Sequence, residues 1–180
     1  QVVIEDVGVN PTRTGVLDIF KAMGAPVEVS DARTRNGEPS GDLVITSGPL
    51  QPIEVAGALT VRAIDELPLV ATVAARADGV SRIRDARELR VKESDRVAKT
   101  TEMLRSFGVP VDEHEDGWTI YGDARRPLEP GTIDAHGDHR IAMCATLLAR
   151  IAPPGSEILG AASIASSFPS FHACLAELSD

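Results

Sequence analysis

The chain of 180 residues has no apolar run approaching the roughly 20 residues that a membrane span needs, so no crossing helix is expected. Cysteine is nearly absent. Cys144 and Cys174 both sit inside apolar helical patterns, at no metal or disulfide spacing, and read as buried thiols of a reducing, cytoplasmic compartment. Positive charge is also short. A net charge of −9 argues against nucleic acid and anionic membrane surfaces as partners, because their phosphates demand basic patches. A small anionic ligand stays open, since a pocket needs only local positive charge. Lysine is scarce, with only Lys21, Lys92 and Lys99, so a lysine inside a motif carries extra weight. The chain carries no signal-peptide pattern, and no Gly-x-Ser-x-Gly, Walker or Gly-x-Gly-x-x-Gly motif. The usual hydrolase, nucleoside-triphosphatase and dinucleotide readings fall with them.

What is present belongs to a globular protein, with 43% apolar and 25% charged residues. Apolar alternation begins at once at Val2, Val3 and Ile4, which reads as a fragment or a processed product entering mid-strand. Three stretches then share one plan of short strand, loop and amphipathic helix. They pair strand 2–6 with helix 16–23, strand 81–85 with helix 97–104, and strand 156–159 with helix 171–178. The first two continue alike: a glycine closes each helix, Gly24 and Gly108, and a hairpin follows. Arg13 and Arg96 share nearly the same offset, which favours an internal repeat. Two apolar helices, 67–77 and 140–150, lie between these pieces and are expected inside a shell of sheet. The fold class expected is α/β (α+β), built from repeated βαβαββ units. The repeats are expected at roughly 1–60, 61–130 and 131–180, the third without its closing hairpin.

Candidate chemistry gathers at loop-to-helix junctions. Lys92 and Arg96 lie four apart at an expected helix start, where they share one face with free N–H groups and the positive dipole end. That is an anion site of the helix N-terminus kind. The competing reading is a solvated cluster of Lys92, Glu93, Asp95 and Arg96 with Ser94 as cap. Asp138, His139 and Arg140 stand at another helix start and would bring a second guanidinium to an anion. A metal site at His136, His139, Asp134 and Asp138, or a capped helix with one satisfied histidine, are the rival readings there. Asp65 precedes a helix with proline in its first turn. It either aims a carboxylate at a substrate hydroxyl or, with Glu66, simply caps that helix. Arg13 is a third anion ligand or a structural ion-pair partner. Ser166 and Ser167 read as caps of the last helix.

Taken in order, residues 65–68 (DELP), 89–96 (LRVKESDR) and 138–143 (DHRIAM) resemble the 5-enolpyruvylshikimate-3-phosphate synthase family. So do the opening residues 10–13 (NPTR) and the closing residues 167–171 (SFPSF). The resemblance covers essentially the whole chain and implies a two-lobed enzyme with helices inside and sheets outside. This chain would be most of its C-terminal lobe, one half of an inside-out barrel, acting only with the missing N-terminal lobe. The implied reaction moves the enolpyruvyl group of phosphoenolpyruvate to the 5-hydroxyl of shikimate 3-phosphate and releases phosphate, with no cofactor and no metal. By position, Lys92, Arg96 and Arg140 would hold phosphoenolpyruvate, Glu93 would protonate its methylene carbon, and Asp65 would bind the shikimate hydroxyls and take the 5-hydroxyl proton. Glyphosate is implied as a ligand of the phosphoenolpyruvate site. Two departures stand out: Glu88 where some members carry asparagine, and Ser166 where some carry a lysine. A transferase acting on UDP-N-acetylglucosamine, or a non-catalytic binding domain, are the alternatives.

Overall fold

The computed structural model describes residues 1–178; residues 179 and 180, the end of the third expected repeat, lie outside the described residues. Strand β1 (Val2–Gly8), helix α1 (Gly15–Ala22) and the hairpin β2 (Val27–Arg35) and β3 (Glu38–Ile45) come first. Asn36 and Gly37, with φ of 51° and 86°, form the two-residue turn that an Asn-Gly pair favours. The order then runs β4 (Glu54–Val55), α2 (Ala58–Arg62), a 3-10 turn (Ile64–Glu66), α3 (Leu67–Ala74) and β5 (Gly79–Ile83). A second 3-10 turn (Arg87–Val91) leads to α4 (Arg96–Ser106) and the hairpin β6 (Val111–His114) and β7 (Gly117–Gly122). Last come β8 (Thr132–Asp134), α5 (His139–Ile151), β9 (Glu157–Leu159), a 3-10 turn (Ala161–Ser166) and α6 (Phe171–Glu177).

Three sheets result. The first has order β1-β3-β2, all antiparallel. The second has order β4-β5-β7-β6, with β4 and β5 parallel and the remaining pairs antiparallel. The third pairs β8 and β9 in parallel. From β4 to β7 the chain runs strand, helix, strand, helix, strand, strand, and the first sheet repeats the last four of these elements. The two helix ends match bond for bond: Ala25 N–H donates to Phe20 O and Val109 N–H to Leu104 O, both at 2.9 Å, across left-handed Gly24 and Gly108.

Helices α3, α4 and α5 pack on one another, α3 and α4 also against the second sheet. Most side chains of α3 are buried, Leu67, Val70, Ala71 and Ala74 among them, as befits a helix apolar on nearly every side. Its Thr72 satisfies its own hydroxyl by donating to Pro68 O at 2.8 Å. The main core joins this helix to Ile19, Met23, Ile83, Leu104, Phe107, Trp118 and Ile120, and the buried Trp118 Nε1 donates to Val97 O at 3.0 Å.

Some expectations need correction. The helix expected over 67–77 ends at Ala74, ahead of two i to i+3 turn bonds made by Arg76 and Ala77. Short β4, β8 and α2 carry too few residues for a periodic signal and were not anticipated. Cys144 is buried as expected, but Cys174 is exposed on α6. Neither Ser166 nor Ser167 caps α6: Ser170 stands at that position without a side-chain capping bond, while Ser166 Oγ donates to Ser163 O at 2.7 Å.

Candidate active site

Asp65 sits in the turn between α2 and α3, and its carboxylate does not cap α3. Glu66 stands at that N-cap position and makes no capping bond either. Instead four cations from separate places surround Asp65. Its Oδ1 lies 3.4 Å from Arg96 Nη1 and 3.7 Å from Lys92 Nζ; its Oδ2 lies 3.8 Å from Arg13 Nη2. Arg140 Nη1 donates to the Asp65 carbonyl at 3.0 Å and lies 3.5 Å from Glu66 Oε1. Thus Asp65, Lys92, Arg96 and Arg140, far apart in sequence, meet at one place.

The route by which they meet differs from the expected one. Helix α4 begins at Arg96, and Asp95 rather than Ser94 is its cap, accepting from Ala98 N–H at 2.9 Å. Lys92 is therefore not on the helix face with Arg96. It stands in extended backbone (φ −82°, ψ −156°) just past the turn Arg87–Val91. A capping carboxylate fixes where the helix starts, so the motif folds as turn, extended link and helix. Its i,i+4 partner is Glu88, 2.7 Å from Lys92 Nζ. Arg90 clamps this motif to the β6–β7 hairpin, donating to Asp95, Glu113 and the carbonyls of His114 and Glu115. Partial burial pulls against its charge, yet the bonds to Glu113 and Asp95 leave its pKa raised. Nothing in the sequence pattern separated Arg90 from a solvated charge.

Arg96 is 1% exposed and its main partner, Asp138, is 0% exposed. Arg96 Nε donates to Asp138 Oδ2 at 2.9 Å and Nη2 faces Oδ1 at 3.4 Å, a forked pair between α4 and α5. Ser94 Oγ donates to the same carboxylate at 2.9 Å, and Asp138 also caps α5 by accepting from Arg140 N–H at 3.0 Å. Burial is the largest influence on Asp138 and pushes its pKa up. The Arg96 hydrogen bond and charge, the Ser94 hydroxyl and the Arg140 N–H together outweigh it and leave the carboxyl below its ordinary value. The sequence marked Asp138 as a cap, but its second role as anchor of Arg96 has no local signal.

Glu93 accepts from Arg96 Nη2 at 2.5 Å while remaining 53% exposed, so it covers the buried guanidinium from the solvent side. Lys92 has its pKa raised: the Glu88 hydrogen bond is the largest influence, burial pushes the other way, and the charges of Asp65 and Glu88 add to the rise. Beside this cluster is a cavity of about 500 Å³, counted to its open mouth, lined by Asp65, Arg140, Met143, Leu147, Phe168 and Phe171. Cys144 also lines it; burial pushes its thiol up to about 11, which keeps it protonated and unreactive. His136 reaches Asp134 at 3.7 Å, and among the described residues no three His, Cys, Asp or Glu side chains group so as to hold a metal ion. Among them, too, no helix is long and apolar enough to cross a membrane.

Chemically, the site is a set of fixed cations whose positive charge is neutralised by its own carboxylates. A small polyanion can enter by exchange: its oxygens replace Glu88 or Glu93 on Lys92 and Arg96, while the Asp138 pair keeps Arg96 in place.

The chain is 48% identical over 176 residues to a 3-phosphoshikimate 1-carboxyvinyltransferase of Geobacter sulfurreducens, covering 97% of this chain and 40% of that protein. It is 45% identical over 168 residues to the protein of that name from Parasynechococcus marenigrum, covering 93% and 38%. The chain therefore spans about two fifths of the length of the curated relatives it matches. Among solved structures, an EPSP synthase of Acinetobacter baumannii superposes with a TM-score of 0.93 at 38% identity, over 98% of this chain and 41% of that one. The enolpyruvyl transferase NikO of Streptomyces tendae, at 24% identity and a TM-score of 0.69 over 98% of this chain and 38% of its own, shares the fold alone. With a family model matching residues 1–175, the chain belongs to the EPSP synthase (3-phosphoshikimate 1-carboxyvinyltransferase) family.

Proposed function

We propose that this chain supplies the phosphoenolpyruvate-binding part of a 3-phosphoshikimate 1-carboxyvinyltransferase, most of the C-terminal lobe, and works with an N-terminal lobe that completes the site. The observation that carries this reading is the meeting of Lys92, Arg96 and Arg140 around Asp65, with Arg96 locked from behind by buried Asp138.

Phosphoenolpyruvate carries a phosphate and a carboxylate. Two guanidiniums suit such oxygen pairs through forked hydrogen bonds, and a lysine adds a point charge. As the anion enters, it takes the place of Glu93 on Arg96 and of Glu88 on Lys92. Glu93, freed from its guanidinium and open to solvent, passes a proton taken up from water to the methylene carbon, and positive character develops at C2. Asp65, placed among the cations, takes the proton of the 5-hydroxyl as that oxygen bonds to C2. The tetrahedral adduct then breaks its C–O bond to phosphate while the new methyl group returns a proton to the Glu93 carboxylate and Asp65 passes its proton to the departing phosphate, which leaves the enolpyruvyl ether and free phosphate. Closure of two lobes over this site would exclude water and align the groups, so the chain alone turns over nothing. The repeats expected at roughly 1–60, 61–130 and 131–180 are read as the modules of that lobe, and the cytoplasm is the compartment that suits its free thiols.

The test is phosphate release from phosphoenolpyruvate and shikimate 3-phosphate by the full-length enzyme, run beside a UDP-N-acetylglucosamine control. Release with shikimate 3-phosphate alone supports the reading. Release only with the amino sugar, or none from a folded two-lobed enzyme, overturns it.

A further inference from the structure

The segment 10–15 (NPTRTG) is singled out by its sequence, yet nothing in the reaction above uses it. It is built with unusual rigidity for an exposed loop. Asn10 Oδ1 accepts from both Thr12 N–H (3.0 Å) and Thr12 Oγ1 (2.8 Å), and Asn10 O accepts from Arg13 N–H at 2.9 Å. Asn10 Nδ2 donates to Glu38 on β3 at 3.1 Å. From the other side Arg62, the last residue of α2, donates through Nε to Pro11 O at 2.8 Å and through Nη2 to Asp18 of α1 at 2.7 Å.

Gly15 closes the mount. A Cβ there would lie 2.8 Å from the backbone carbonyl carbon of Arg62 and 2.9 Å from the nitrogen of Ala63, so only glycine lets α1 press against the backbone that leads, two residues later, into Asp65. The loop and α1 are thus fastened at three points to the end of α2, which leads into the Asp65 turn. What the mount presents is Arg13, 71% exposed, with its guanidinium 3.8 Å from Asp65 Oδ2.

The three other cations approach Asp65 differently. Lys92 and Arg96 stand on Oδ1, and both are also committed to other carboxylates; Arg140 binds the Asp65 carbonyl. Arg13 alone faces Oδ2, at a distance too long for a hydrogen bond. At that distance it attracts the oxygen without forming a hydrogen bond to its lone pairs. We infer that Arg13 is a positioning residue for Asp65, holding Oδ2 turned outward as the proton acceptor, and that the first sheet unit contributes to the site through this contact. The role of Asp65 as acceptor rests on the proposed function; the fixing of its orientation does not.

The experiment compares Arg13→Gln and Arg13→Lys with the unaltered full-length enzyme by steady-state kinetics, thermal unfolding and crystal structures. In Arg13→Gln we expect kcat to fall by roughly tenfold to 100-fold, KM for phosphoenolpyruvate to stay within about twofold, and the Asp65 carboxylate to rotate. Arg13→Lys, which keeps the charge, should recover most of kcat and the orientation. An unchanged kcat with Asp65 in place overturns the inference. So do equal losses in both variants accompanied by a lowered Tm, which would make Arg13 a merely structural residue. Should the unaltered enzyme release no phosphate, the functional reading fails, and the orientation of Asp65 in the three structures alone decides the role of Arg13.

Discussion

The first and second sheets are built from related element orders yet are stabilised in opposite ways. In the second, β7 is buried along most of its length, and Trp118 and Ile120 join Ile83 of β5 in the core. In the first, β1 is exposed along most of its length, with Val3 at 53% and Ile4 at 45%. Charge replaces apolar packing there. Strands β1 and β2 both break register against β3, between Ile4 and Val7 and between Ser30 and Arg33. Asp6 and Asp31 adopt positive φ at these bulges, and Arg33 gathers Asp6, Asp31 and Asp42 around itself while Arg35 adds a bond to Asp6. The Arg33 hydrogen bond dominates the lowering of the Asp6 pKa. Similar topology therefore does not imply similar energetics. The unit that carries the Lys92 motif is the one with a dense core beneath it, and the exposed unit reaches the site through a single loop.

This contrast can be broken or sharpened by substitution. The largest effect should come from Asp138→Ala, which leaves Arg96 charged, buried and without its anchor. A loss of about 3–5 kcal/mol in urea unfolding is expected, against no comparable loss for Arg33→Ala in the exposed knot. Acid should expose the same pair. The folded Asp138 carboxyl titrates below its ordinary 3.8, so its contribution is complete above that value and is lost as pH falls from about 4 through the folded pKa. A pH series of unfolding midpoints checks this, and Asp138→Ala should flatten that part of the curve. Ile120→Val should cost about 0.5–1.5 kcal/mol, since it removes one methylene from a closed core. Val3→Ser should stay within about 0.5 kcal/mol by the same assay, because little burial is at stake.

Much of this was legible in the sequence. The 3.6-residue periodicity placed five of the six helices within a few residues, and the closing glycines Gly24 and Gly108 marked equivalent ends. The resemblance names Asp65, Lys92, Arg96 and Arg140 as one site, and they lie together in the structure. Three kinds of information were not local and so were not readable. Ser94 gives its hydroxyl to Asp138, 44 residues away, while Asp95 caps α4 and Lys92 stands extended rather than helical. The pairing of Arg96 with Asp138 joins residues 42 apart, and the clamp from Arg90 to Glu113 joins residues 23 apart. The apolar residues at Val2, Val3 and Ile4 mark β1 as a strand, but such a pattern does not report what covers it, and Val3 and Ile4 are both exposed.

The central claim is that a small anion enters by exchanging for carboxylates on Lys92 and Arg96. Calorimetric titration of the full-length enzyme with phosphoenolpyruvate, beside Lys92→Ala, tests it most directly. Loss of one charged ligand should weaken binding roughly tenfold or more, with the folded state intact. Affinity unchanged within about twofold would contradict the account, because Lys92 would then serve only its pairs with Glu88 and Asp65.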